Sequence, residues 1–262
     1  PWIARRQRQM CIRDRAFGTL AELYPGRIDL GLGRAPGTDP ATMRALRRSK
    51  VENEEDFPRD VMELQALLGP VQPGQKLIAM PGANTNVPIW LLGSSLYSAQ
   101  LAAHMGLPYA FASHFAPRFL HQAVDLYRSL FKPSATLDKP YVMVGVPLVA
   151  APTDAEAELL ASSIYQRVLG ILTGKRGALP PPVPNFLPQL PADARAAIGD
   201  FLGEAVIGSP DTVRDGLLAM AEATQADELM LVCDIYDPAL RLRSLDIAAQ
   251  ALRDAQADSV TA

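Results

Sequence analysis

Arg27-Ile28-Asp29-Leu30-Gly31-Leu32-Gly33-Arg34 is the stretch on which the reading of this chain turns. Apolar residues run into glycines and end on an arginine. A second run, Pro88-Ile89-Trp90-Leu91-Leu92-Gly93-Ser94-Ser95, follows the same plan. Continuous apolar runs of this kind suit strands buried on both faces, as in a parallel sheet covered by helices. One turn then presents a guanidinium at the carboxyl edge of the sheet, and the other presents hydroxyls and backbone N–H groups. Together they suit a phosphate.

The surrounding text alternates strand and helix signals. Phe17, Leu20, Leu23 and Tyr24 recur at helix spacing before Pro25-Gly26. Thr38 or Asp39 caps a short helix with Pro40 in its first turn. Phe57, Val61, Leu64, Leu67 and Leu68 form the stripe of the next helix, and Leu77 to Met80 is a small extra strand. Helices over 98–105, 119–131, 154–169 and 213–223 alternate with strands over 88–93, 107–112, 141–150 and 228–233. Thr153-x-x-Glu156 is a capping box. This order predicts an α/β fold with a parallel sheet. Residues 170–192, rich in Gly and Pro, read as a long loop, either a lid candidate or, equally, a simple surface excursion.

Composition narrows the function. The chain has 262 residues, a net charge of -3, 20% charged and 48% hydrophobic residues. That supports one large buried core and argues against disorder and nucleic-acid binding. The basic cluster Arg44, Arg47, Arg48 and Lys50 reads as a solvated helix face. No apolar run reaches the ~20 residues of a membrane helix. Cys11 and Cys233 show neither a metal spacing nor a disulfide framework, which places the chain in the cytoplasm with Cys233 as a reduced core residue.

The candidate site residues follow from chemistry. Arg34 offers a rigid fork of donors to a phosphate, against the plainer reading of a loop ion pair. Gly31 and Gly33 allow close backbone approach. Ser94, Ser95 and Ser98 surround a helix start, where N–H groups and hydroxyls bind anions, and where plain N-capping is the alternative. No Gly-x-Ser-x-Gly elbow is present. His104, His114 and His121 have no metal-ligand spacing; His104 reads as structural, and His114, after a strand, has the better claim to a pocket. Asp234 and Asp237 read as polar loop residues. No residue is singled out as catalytic.

Phe17-Gly18-Thr19-Leu20 through Arg34, with Ile89–Ser95, Gly106-Leu107-Pro108-Tyr109-Ala110-Phe111-Ala112 and Ile207-Gly208-Ser209-Pro210-Asp211-Thr212-Val213, resembles the bacterial luciferase-like flavin monooxygenase family over about residues 16–255. The resemblance implies a TIM barrel, (β/α)8, incomplete here. Its fourth to eighth strands correspond to 28–33, 89–93, 109–112, 142–149 and 229–233. Residues 1–15, with Arg5, Arg6, Arg8, Arg13 and Arg15, are expected to be a non-native or disordered leader, and 16–262 a partial luciferase-like barrel domain.

The resemblance also implies a function. Reduced FMN, supplied by a separate flavin reductase, reacts with O2 and oxygenates a small organic substrate, aldehyde-like by analogy. F420-dependent hydride transfer is the alternative, and a catalytically inactive fragment a third. Gly33, Arg34, Gly93, Ser94, Ser95 and Ser98 are the implied cofactor-binding residues. The parent enzyme is expected to be a homodimer, without metal, nucleic-acid or membrane partners.

Overall fold

A computed structural model describes residues 15–34, 56–175 and 177–261, with side chains through 255. The expected leader falls outside the described residues except for Arg15. So do Cys11, the short helix after Asp39 and the basic cluster at 44–50. Among the described residues, six strands form, and every pairing given below is parallel. Contacts divide the chain into two units: residues 1–93, 97–109 and 130–140, and residues 94–96, 110–129 and 141–262.

The first unit opens with helix α1 over 15–23. Gly18 packs on Gly82, where an added Cβ would lie 2.3 Å from the Gly82 Cα. Strand β1 is Leu30–Gly33, shorter than the apolar run, because Arg27 to Asp29 lie outside the ladder. It pairs with β2, Ile89–Gly93, in the register Leu30↔Ile89 and Gly33↔Leu92. The indole of Trp90 donates to the Asp29 carboxylate at 3.1 Å.

Helix α2, Phe57–Leu68, buries Val61, Leu64, Leu67 and Leu68, the stripe read from the sequence. Its end is closed by a turn, with Asn84 N–H donating to the Gly69 carbonyl and Asn86 N–H to that of Leu68. Both asparagines have positive φ, the left-handed conformation that asparagine tolerates. These turns overturn the expected strand at Leu77 to Met80, which is irregular, with Leu77, Ile78 and Met80 exposed. The apolar letters there have no neighbouring strand to pair with. Helix α3, Leu96–Met105, buries Ser98, Ala99, Ala102 and Ala103, and Gly106 follows at φ +60°.

In the second unit, strand β3, Tyr109–Ala112, leads through a short 3-10 turn to helix α4, Leu120–Leu130. The long β4, Val142–Ala150, pairs with β6, Glu228–Val232, along its first half, and with the three-residue β5, Val206–Gly208, along its second. Among the described residues, the strands do not close into a barrel. Helix α5, Asp154–Leu172, starts on the expected cap, the Thr153 hydroxyl accepting from Glu156 N–H at 3.2 Å. It packs Leu160, Ala161, Ile164 and Val168 into a core with Val149, Ala151, Ile198 and Ile235.

Helices α6, Ala192–Phe201, α7, Pro210–Thr224, and α8, Pro238–Thr261, complete the unit. Neither α6 nor α8 stood out in the sequence. The expected lid is anchored: Val183 N–H donates to the Ser162 hydroxyl at 2.8 Å, and the Gln166 amide to the Pro181 carbonyl at 2.9 Å.

Candidate functional site

In the first unit, the Gly33↔Leu92 register brings the residues after the ladder, Arg34 and Gly93, to the same carboxyl edge. The Arg34 guanidinium lies over the Tyr97 ring, with Cζ 4.4 Å from the centroid. Arginine stacked this way gains cation–π attraction and keeps its in-plane N–H donors directed outward. A Cβ at Gly33 would meet only ordinary contacts, the nearest being the Leu92 carbonyl oxygen at 3.7 Å. Gly31 is the tighter position: an added Cβ there would lie 2.8 Å from the Leu92 side chain.

Gly93 has a different reason. An added Cβ there would sit 2.1 Å from Ser98 Oγ and 2.6 Å from Ser98 Cβ. Ser98 is buried against the β2 turn and hydrogen-bonded to the Tyr109 hydroxyl. Burial pushes Tyr109 up to about 12, the Ser98 hydrogen bond offsetting part of this, so the phenol stays neutral. Ser94 and Ser95, half-buried, form the bend into α3. The structure therefore gathers Gly33, Arg34, Gly93 and Ser98 at neighbouring strand ends and adds Tyr97 and Tyr109. Nothing in their spacing flagged those two tyrosines.

The second unit has its own polar cluster. His114 follows β3, and its Nδ1 lies against Gly145 of β4, where an added Cβ would be 3.0 Å away. Asp234 follows β6 and forms an ion pair with Arg167 of α5, at 2.6 Å. Burial lowers the His114 pKa; the Gly145 backbone and Asp234 counter this, and Arg167 adds to it. Sequence reading had singled out His114 and Asp234 separately, and Arg167 not at all. Asp237 is a cap: its carboxylate accepts from Ala239 and Leu240 N–H. His104 hydrogen-bonds the Gln100 carbonyl within α3 at 2.8 Å. Cys233 is a free, half-buried thiol, raised in pKa by burial. No described helix is long and apolar enough to cross a membrane.

Parallel strands covered by helices define the α/β class of fold. The chain belongs to the luciferase-like monooxygenase family, which it matches over residues 15–227. A luciferase-like monooxygenase of Escherichia coli K12 is 48% identical over 232 residues, covering 88% of this chain and 69% of that protein. The crystal structure of apo-MsnO8 superposes with a TM-score of 0.80 at 35% identity, covering 93% of this chain and 74% of that one.

Two more distant structures share the fold. The oxygenating constituent of 3,6-diketocamphane monooxygenase from Pseudomonas putida, in complex with FMN, has a TM-score of 0.60 at 17% identity, covering 94% of this chain and 75% of that one. An F420-dependent secondary alcohol dehydrogenase has a TM-score of 0.64 at 13% identity, covering 93% and 75%. The expected luciferase-like fold is thereby established.

Proposed function

We propose that this chain handles reduced FMN in a monooxygenase that uses O2 to oxygenate a small organic substrate. The observation that carries the reading is Arg34 stacked on Tyr97 at the edge where β1 and β2 end. The guanidinium supplies charge and a fork of donors. Gly33 leaves the neighbouring backbone uncovered. These residues fit a phosphate, and in this reading they hold that of FMN. Ser98, buried and bonded to Tyr109, shapes the turn around Gly93.

When bound, the reduced flavin supplies the electrons with which one oxygen atom enters the substrate and the other leaves as water. The chain's part is to position the cofactor by its phosphate end. A separate flavin reductase provides the reduced cofactor in this account, and the setting is the cytoplasm. The fold itself hosts FMN in one protein and F420 in another.

The test is anaerobic titration of the purified chain with reduced FMN and, in parallel, with reduced F420. Saturable binding of reduced FMN, tighter than that of F420, is expected. Binding of F420 alone would overturn the reading in favour of hydride transfer. Binding of neither would leave a non-catalytic chain.

A further inference from the structure

We propose that the cavity between helix α5 and the proline-rich segment after it is a binding site for a small organic ammonium, with Glu158 meeting the charge and Phe186 and its apolar neighbours holding the body. The site shares no residue with the phosphate cluster around Arg34 and does not rest on the monooxygenase reading.

The cavity measures about 260 Å³ and lies wholly within the second unit. That is a little below the range of pockets that enclose drug-sized ligands, so it suits a smaller one. One wall is α5, with Ala155, Glu158, Leu159, Ser162 and Tyr165. Their spacing puts them on one face of the helix. The facing wall is Val183 to Pro188.

The chain fixes that second wall at several points. Val183 N–H is held by the Ser162 hydroxyl, and the Pro181 carbonyl by the Gln166 amide. Asn185 turns the backbone at φ +52°. Phe186 and Leu187 then pack against the core that α5 forms with Val149 and Ile198, and the Gln189 amide donates back to the Pro184 carbonyl at 3.2 Å. Walls set in advance spare a ligand the cost of ordering them.

The polar groups lining the cavity favour a cation. The Tyr165 hydroxyl donates to the Glu158 carboxylate at 2.8 Å, which orients the carboxylate and leaves the phenol oxygen only lone pairs to offer. The Ser162 hydroxyl proton goes to the Leu159 carbonyl at 2.6 Å. Among the described residues, no lysine, arginine or histidine lines the cavity. The other carboxylates at this end of α5 are engaged elsewhere, Asp154 with Ser209 and Thr212, and Glu156 with Arg243. Glu158 is therefore the charge that the cavity presents. An ammonium brings N–H donors to its carboxylate, while Leu159, Phe186 and Leu187 take an aliphatic or aromatic body. The Phe186 ring adds a face that attracts cations. An anion meets repulsion there, and a neutral ligand gains only the apolar contact.

The test is nitrogen-15 NMR of the full chain with three probes that share one body: benzylammonium, benzyl alcohol and benzoate. Benzylammonium is expected to move backbone resonances of residues 155–165 and 183–188, benzyl alcohol to do so with weaker affinity, and benzoate to leave them in place. Glu158→Gln keeps an oxygen for Tyr165 and removes the charge. Because Glu158 is exposed at the rim, this variant is expected to weaken benzylammonium only about 3- to 5-fold and to leave benzyl alcohol unchanged. Ala155→Leu, at an exposed helix position, is expected to fill the cavity and abolish the shifts from both probes. Resonances unmoved by benzylammonium, equal affinity for the three probes, a benzylammonium preference that survives Glu158→Gln, or shifts that persist in Ala155→Leu would each overturn the site. Tighter binding by the tripeptide Ala-Lys-Ala than by benzylammonium would give the cavity to a partner protein's lysine and overturn the small-ligand assignment.

Discussion

Arg34 follows β1 and Tyr97 lies in the first turn of α3, and the guanidinium of one covers the ring of the other at 4.4 Å. The ring is one of the contacts that place the guanidinium, and removing it leaves the charge while loosening that placement.

Tyr97→Leu is therefore expected to weaken FMN binding about 2- to 5-fold, the size of an exposed cation–π contact. Riboflavin, which lacks the phosphate, is expected to bind equally well to both proteins. Fluorescence titration with each ligand makes the comparison.

Gly93 is fixed by packing, since its position for a Cβ is already taken by Ser98. Gly93→Ala should cost about 1–3 kcal/mol of stability through overpacking. Ser98→Gly in the same chain removes both clashing atoms and should recover part of the loss. A double-mutant cycle in urea measures the coupling.

Tyr109 and Tyr127 are both buried and pushed up to about 12, in each case chiefly by burial. Their unfolded counterparts ionise near 10. The folded state thus holds protons that the unfolded state releases, so stability should fall as pH rises from about 10 towards 12. Tyr109→Phe and Tyr127→Phe should each flatten that fall. Chemical denaturation across the alkaline range, with tyrosinate absorbance followed alongside, tests the sign.

Asp154 joins two helices by their starts. Its carboxylate accepts from Ser209 N–H at 2.6 Å and from the Thr212 hydroxyl at 2.8 Å. The Ser209 backbone bond is the main cause of its lowered pKa, and Thr212 adds to it. A depressed carboxylate contributes above its unfolded value and loses that contribution as pH falls through the folded one. Asp154→Ala should lower Tm by a few degrees at neutral pH and make stability less sensitive to acid. Thermal scans at neutral and acid pH provide the check.

The sheet was legible because its strands are long apolar runs with clear stops. Ile89–Gly93 and Tyr109–Ala112 needed only local reading, and Thr153 announced α5 by its cap. Val206–Gly208 escaped because it is too short to show a period, helices α6 and α8 escaped with it, and Leu77–Met80, read as a strand, has strand-like letters but no strand partner among the described residues. At the candidate site, Arg34 and Ser98 were visible as chemistry-bearing residues beside strand ends. That Ser98 turns inward onto Gly93 and Tyr109 is a packing outcome that spacing does not carry. His114 and Asp234 lie 120 positions apart, and only the parallel alignment of their strands makes them neighbours of Arg167.

The most direct test of the central claim compares the affinities of reduced FMN and reduced riboflavin for the wild-type chain and for Arg34→Ala, under anaerobic conditions. The account predicts that FMN binds the wild type more tightly than riboflavin does, and that Arg34→Ala removes most of this preference while leaving riboflavin binding unchanged. Equal affinity for the two ligands in the wild type, or a preference that survives Arg34→Ala intact, would contradict it.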